Sequence, residues 1–225
     1  MNAFSFPQKY IRSLLWVTII GYFSFKMLEI VWPYTSGRLD IDFLLTKTSI
    51  VHLDHYRLAF YSHIFSSLVV LSSGAFLFSN YLLKKWPKLH RWLGKVYVLL
   101  LLAVSAPSGM VMAVYANGGW AAKASFLILT PIWWWFTWKG YQTAVRRQFK
   151  AHRQWMMRSY ALTLSAISLR IYQMMLGQLV YIDPVTQYIF VSWVSWVGNL
   201  IVVEILIRAK FPDVKKWIRF SPSTA

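Results

Sequence analysis

Two short stretches of this chain carry the same pattern, a His-Arg pair followed closely by tryptophan, and each opens an apolar segment of helical length. His90 belongs to the first stretch and His152 to the second. Two histidines at equal depth on parallel helices are what a haem with two axial histidine ligands requires, with arginine or lysine beside its propionates. The pattern therefore predicts His90 and His152 as metal ligands of a b-type haem or, alternatively, as interfacial residues that help to set the topology.

A polar stripe follows His152 along the same predicted helix. Arg170 comes 18 residues after His152, which is about five helical turns, so both side chains lie on one face. Ser159 and Thr163 lie between them on that face. Arg158 belongs to this helix as well, and we predict that Arg158 and Arg170 are cofactor-binding residues.

Three ionisable residues fall at one depth in the outer half of the predicted membrane segments, namely Glu29, His63 and Arg170. Polar groups are costly in a bilayer, so each of them is a candidate functional residue. Together they could form an acid–base–cation cluster that handles protons or binds a ligand. The alternative is structural, with Glu29 neutralising Arg170 and the set locking helices together.

Two further spacings allow ion pairs within a single helix. Lys26 precedes Glu29 by three residues, and Glu204 precedes Arg208 by four. We therefore predict a Lys26–Glu29 pair and a Glu204–Arg208 pair, because pairing lowers the cost of placing these charges in a membrane.

The composition requires a bilayer around the chain. Of the 225 residues, 57% are hydrophobic and 18% are aromatic, which is more apolar surface than a soluble domain of this size can hide. The net charge of +17 does not indicate nucleic-acid binding, because the basic residues stand in short loops, where they fix topology and meet anionic lipid. The absence of cysteine excludes disulfides, iron–sulfur clusters and covalently attached c-type haem.

The apolar segments predict an all-α membrane protein with six transmembrane helices in one bundle, forming a single transmembrane domain over residues 1–225. Basic loops alternate with acidic, mixed or neutral loops along the whole chain. By the positive-inside rule, both termini and the basic loops face the cytoplasm, which is the orientation expected in a bacterial inner membrane. The six predicted helices cover about 14–32, 57–83, 89–115, 121–141, 155–179 and 185–207.

The third predicted helix has features of a closely packed and interrupted segment. Ser105, Gly109 and Ala113 recur every four residues, and such a stripe of small residues lets two helix backbones approach. Pro107 lies in the same segment and predicts a kink, since proline lacks the N–H that a continuous helix needs.

The two histidine motifs also resemble a known family. The run His-Arg-Trp-Leu-Gly-Lys-Val-Tyr from His90, the run His-Arg-Gln-Trp-Met-Met-Arg-Ser-Tyr-Ala-Leu-Thr from His152, and Ser-Leu-Arg ending at Arg170 are similar to the bacterial membrane family called domain of unknown function 2306. The resemblance covers about residues 56–177 and places a histidine of that family at His63. It implies a multi-helix membrane protein with no established activity.

The same core of helices that carry histidines is loosely similar to the membrane domains of cytochrome b561 and ferric reductases. This chain departs from the b561 pattern, because it lacks paired histidines on its second and fourth helices. The departure argues against an electron relay with two haems.

Three functions are consistent with these residues. The first is a redox protein that binds b-type haem or quinone at His90, His152 and His63 and exchanges electrons with a partner. The second is a small-solute or proton-coupled transporter that uses Glu29, His63 and Arg170, which predicts broken helices. The third is an accessory protein in which the polar residues only hold the bundle together.

Overall fold

The computed structural model describes residues 8–179 and 181–210 of the chain. This described part is helical and contains no strand, as the sequence predicts. The predicted positions of the two termini concern residues outside these ranges. The α-helices are α1 (Gln8–Val31), α2 (Asp54–Leu77), α3 (Asn80–Lys85), α4 (Pro87–Leu100), α5 (Ala106–Val114), α6 (Gly119–Val145), α7 (Phe149–Thr163), α8 (Ser165–Leu179) and α9 (Pro184–Lys210).

Three helical stretches are long and apolar enough to cross a membrane. They are Asp54–Leu77, Pro87–Val114 and Pro184–Ala209, with mean hydropathies of 1.4, 2.0 and 1.9. The predicted fifth span is divided into α7 and α8, of 15 residues each, and a single span needs about 20 residues. The chain is therefore a helical membrane protein by composition, and the arrangement of six spans stays a prediction.

The third predicted span is interrupted where Pro107 predicts a kink. A π-helical segment, Leu101–Ser105, joins α4 to α5. In a π-helix each carbonyl is paired with the nitrogen five residues later, so the carbonyl of Leu102 is paired with Pro107, which has no N–H to donate. The indole N–H of Trp134 in α6 donates to this carbonyl instead, at 3.2 Å, so the break is satisfied by a neighbouring helix.

A second break, which the sequence analysis did not predict, separates α7 from α8 at Leu164. The hydroxyl of Thr163 donates to the carbonyl of Ser159 at 3.2 Å, and that of Ser165 donates to the carbonyl of Leu162 at 2.5 Å. Serine and threonine that bond back to their own helix compete with the backbone and bend it. The predicted fifth span is therefore divided at Leu164, near its middle.

The core of the bundle contains a hydrogen-bonded polar network. The Tyr97 hydroxyl in α4 lies 3.1 Å from both the Ser159 and the Thr163 hydroxyls of α7. From α6, Thr137 lies 2.7 Å from Ser159, and the Trp133 indole donates to Thr163 at 3.1 Å. Ser159 and Thr163, which belong to the predicted polar stripe of this helix, are both buried.

The bundle has two ends that differ in charge. The turn between α3 and α4 and the turn between α6 and α7 contribute basic residues at one end, hereafter the basic end. The sequence predicts that this end faces the cytoplasm. Short 3₁₀ helices at Trp32–Ser36 and Asp42–Lys47 lie at the other end, hereafter the opposite end, together with the α5–α6 turn.

Candidate functional site

Several tyrosines lie on one side of Arg170 or next to its neighbours at the opposite end. Arg170 of α8 lies close enough to interact electrostatically with His63 of α2, Tyr188 of α9 and Tyr34 of the first 3₁₀ helix. Tyr56 and Tyr61 of α2 join this group, since Tyr34 interacts electrostatically with both. We call these six residues the Arg170 cluster: Tyr34, Tyr56, Tyr61, His63, Arg170 and Tyr188.

The ring of His63 is held from three sides. Its Nδ1 lies 2.8 Å from the carbonyl oxygen of Ser105, the last residue of the π-helical segment. A carbonyl only accepts hydrogen bonds, so Nδ1 is the donor, and Nε2 faces the Ser67 hydroxyl at 3.5 Å. A Cβ added at Gly109 would lie 2.9 Å from His63 Cε1. The predicted stripe of small residues therefore makes room for this imidazole.

The tyrosine hydroxyls supply hydrogen-bond donors that are still free. The hydroxyls of Tyr56 and Tyr61 are buried and have no hydrogen-bond partner among the described residues. Tyr34 accepts a hydrogen bond from the Phe43 amide at 3.1 Å, which leaves its own hydrogen for another acceptor. Burial raises the pKa of Tyr34, so this hydroxyl stays protonated at neutral pH.

Arg170 has no carboxylate partner within the described part of the chain. Its Nη1 donates to the carbonyl of Ala166 at 2.8 Å, and the side chain remains accessible from the surface of the bundle. Glu29 instead pairs with Lys26 at 2.8 Å. The predicted Lys26–Glu29 pair is therefore confirmed. Glu29 is not the counter-ion of Arg170.

His90 of α4 and His152 of α7 both belong to the basic end of the bundle. The two rings interact electrostatically across α4 and α7. His152 Nδ1 lies 2.8 Å from the Gly140 carbonyl, and His90 Nδ1 is buried without a partner among the described residues. A carbonyl on Nδ1 is how proteins orient a histidine whose other nitrogen binds a metal. The assignment of both residues as haem ligands stays a prediction.

Glu204 pairs with Arg158, which corrects the prediction that its partner is Arg208. The Arg158 guanidinium from α7 donates to both carboxylate oxygens of Glu204 in α9, with Nη2 3.0 Å from Oε2. The ring of Trp155 lies 4.9 Å from the guanidinium carbon. A two-pronged arginine–carboxylate contact is stronger than a pair within one helix. Arg158 therefore makes a structural contact, whereas the sequence predicts it as a cofactor-binding residue.

The family profile described as a predicted membrane protein, domain of unknown function 2306, matches residues 60–207. This chain belongs to the DUF2306 family. No curated protein and no solved structure matches it.

The DUF2306 match contains only part of the candidate site. Tyr61, His63, Arg170 and Tyr188 of the Arg170 cluster, and both motif histidines, lie within it, whereas Tyr34 and Tyr56 precede residue 60. Within the described residues, no three histidine, aspartate or glutamate side chains lie together where they could hold a metal ion.

A buried lysine, Lys47 at the end of the second 3₁₀ helix, joins the segment between α1 and α2 to the DUF2306 core. Lys47 is only 4% exposed. Its ammonium group donates to the Tyr115 carbonyl and to Asn117 Oδ1, 2.5 Å away. Burial, and secondarily the charge of Lys123, lower the pKa of Lys47 to about 8. No local sequence signal marks a buried lysine, because lysines in loops are normally exposed.

The buried lysine makes stability depend on pH. An unfolded lysine titrates near about 10.4, whereas the pKa of Lys47 is about 8 in the folded protein. Between these values the unfolded chain binds more protons, so raising the pH favours folding. We expect the thermal unfolding midpoint in detergent to rise between pH 7.5 and 9.5, and the rise to be smaller in Lys47→Met. Equal slopes for the two proteins would contradict this assignment.

Proposed function

We propose that this DUF2306 protein binds the head group of a membrane quinone in the Arg170 cluster. The observation that carries the proposal is the pair of buried Tyr56 and Tyr61 hydroxyls without partners among the described residues. Both tyrosines interact electrostatically with Tyr34, which in turn interacts with the Arg170 guanidinium. Buried polar groups in proteins are nearly always hydrogen-bonded, so unused donors favour a ligand that accepts them. Quinone carbonyls only accept hydrogen bonds, which matches a site made almost wholly of donors.

The cluster favours a ligand that comes from the membrane. It lies between α2, α8 and α9, two of which belong to stretches apolar enough to cross a bilayer. Arg170 remains accessible from the surface of the bundle, so a head group can enter from the side while its apolar tail stays in lipid. Residues 55–182 contain no aspartate or glutamate, so no carboxylate in this stretch competes for the guanidinium.

Each residue has a separate task in this proposal. Arg170 and the tyrosine hydroxyls bind and orient the carbonyl oxygens. His63 keeps Nδ1 on the Ser105 carbonyl, and its Nε2, with a long contact to Ser67, is available to exchange a proton with the ligand. Loss and gain of protons accompany quinone reduction and oxidation, so this arrangement suits a redox protein of the bacterial inner membrane.

Calorimetric titration with a short-chain ubiquinone and a short-chain menaquinone tests the proposal. We expect Tyr56→Phe to weaken binding about fivefold to tenfold without loss of stability, because it removes a neutral donor that has no partner in the protein. Arg170→Gln removes a charged donor and should weaken binding more than about tenfold.

Two matched variants control this measurement. Tyr141→Phe removes a half-exposed hydroxyl at the end of α6, and Arg57→Gln removes an exposed arginine paired with Asp54 at the opposite end. Both should bind quinone like the wild type. Binding that Arg170→Gln and Arg57→Gln reduce equally would refute a specific cluster. No binding by the folded wild type would remove the quinone function and favour an accessory role.

The proposed redox function can also include a haem b. His90 and His152 would hold it, and the bound group would supply transfer of single electrons. A reduced-minus-oxidised visible spectrum of the purified protein decides the matter. A b-type band that disappears in His152→Ala supports these ligands, and a flat spectrum from protein made with ample haem removes haem from the proposal.

Transport is the second candidate function, and the helix breaks favour it. The π-helical segment interrupts the third predicted span, and Leu164 interrupts the fifth. Transporters often place discontinuous helices near the middle of the membrane, beside the substrate site. Proton flux into liposomes, driven by a membrane potential and lost in His63→Ala, would support transport over quinone binding.

A further inference from the structure

A groove of about 590 Å³ lies at the basic end, where α3 meets α4. The chain turns there because Trp86 precedes a proline, which disfavours a helical backbone at Trp86 and starts a new helix at Pro87. Five consecutive residues line the groove, which are Lys85, Trp86, Pro87, Lys88 and Leu89. The groove is separate from the Arg170 cluster, which lies at the other end of the bundle.

The groove combines an apolar floor with a cationic rim. Trp86 and Leu89 are 50% and 40% exposed, and both offer apolar surface. The Lys85 ammonium lies 5.8 Å from the centre of the Trp86 ring and 5.3 Å from that of Tyr81. A hydrogen bond with Tyr81 raises the pKa of Lys85, so the rim stays charged.

No acidic residue in the stretch 55–182, which contains this rim, is available as its counter-ion. Lys84, Lys85, Lys88 and Arg91 follow one another within eight positions, and residues 55–182 contain no aspartate or glutamate. Glu204, which lies toward the basic end on α9, is already paired with Arg158. The charge of the groove therefore favours an anionic ligand.

We propose that this groove binds the head group of an anionic phospholipid. The phosphate contacts Lys85 and Lys88, and the glycerol backbone and upper acyl chains lie on Trp86 and Leu89. The groove stands between the end of Asp54–Leu77 and the start of Pro87–Val114, two stretches that can cross a membrane, so it lies at the level of lipid head groups. Lysine and tryptophan at this level are the residues that bind anionic lipid and anchor a protein at the interface.

Calorimetric titration of the delipidated full-length protein with short-chain phosphatidylglycerol tests this site. Each basic residue beside an anionic lipid surface contributes roughly fivefold to binding. We therefore expect the Lys85→Gln/Lys88→Gln variant to bind this lipid about thirtyfold more weakly than the wild type. The Lys85→Arg/Lys88→Arg variant should retain wild-type affinity, and phosphatidylcholine should bind weakly to all three proteins.

The control removes the same charge at the same end of the bundle. Arg146→Gln/Arg147→Gln changes the exposed turn after α6 and should leave binding of phosphatidylglycerol unchanged. An equal loss in this control would overturn the proposal, because it would show attraction to the basic surface as a whole. Inorganic phosphate binding as tightly as the lipid would overturn it too, since the apolar floor would then contribute nothing.

Discussion

Replacing Arg158 with leucine is expected to destabilise the protein by about 3 kcal/mol, at the lower end of the cost of breaking a buried ion pair. Arg158 is 14% exposed and Glu204 is 35% exposed, so the remaining carboxylate is only partly able to reach water. The variant also loses the contact between the guanidinium and Trp155. Unfolding in detergent, followed by helical circular dichroism, measures the change.

A double variant separates the ion pair from the packing of its side chains. Adding Glu204→Gln to Arg158→Leu removes the stranded carboxylate and should recover more than half of the lost stability. Arg208→Leu changes an exposed arginine of α9 and should cost little, because Arg208 is not the partner of Glu204. A cost for Arg208→Leu equal to that of Arg158→Leu would contradict the pairing.

The difference between these two arginines shows where sequence reasoning stops. Lys26–Glu29 could be predicted because three positions along one helix bring two side chains together whatever surrounds that helix. The partner of Glu204 depends on how α7 packs against α9, and helix periodicity does not determine this. Glu204 therefore pairs with Arg158, which is 46 positions away in the sequence, and not with the closer residue Arg208.

The candidate site was predictable to a similar degree. The matched motifs predict His90 and His152 at the same depth, and the two rings interact electrostatically in the structure. His63 and Arg170 could be chosen because ionisable residues are rare within apolar segments. The tyrosines of the Arg170 cluster could not be chosen from the sequence, since tyrosine is common near a membrane interface. Only the fold shows that the Tyr56 hydroxyl is buried without a partner.

Replacing Gly74 with alanine is expected to cost about 3 kcal/mol, the upper end of the usual range for overpacking. A Cβ at this position would overlap the ring of Tyr160 from α7. The ring cannot move aside easily, because Tyr160 is 2% exposed and its hydroxyl donates to the Leu71 carbonyl at 3.0 Å. The added methyl group would press on the Tyr160 ring, while the Tyr160 hydroxyl is held by the Leu71 carbonyl. To make room for the methyl group, α2 and α7 would have to move apart.

A matched glycine shows whether this cost comes from the contact or from the helix. A Cβ at Gly198 in α9 meets nothing within 4 Å, so Gly198→Ala should keep or slightly raise stability through its better helix propensity. Adding Tyr160→Leu to Gly74→Ala opens space for the methyl group and should make the two changes less costly together than their sum. Strictly additive costs would mean that α2 and α7 do not meet at this contact. The contact matters for the candidate site as well, because α2 carries Tyr56 and His63.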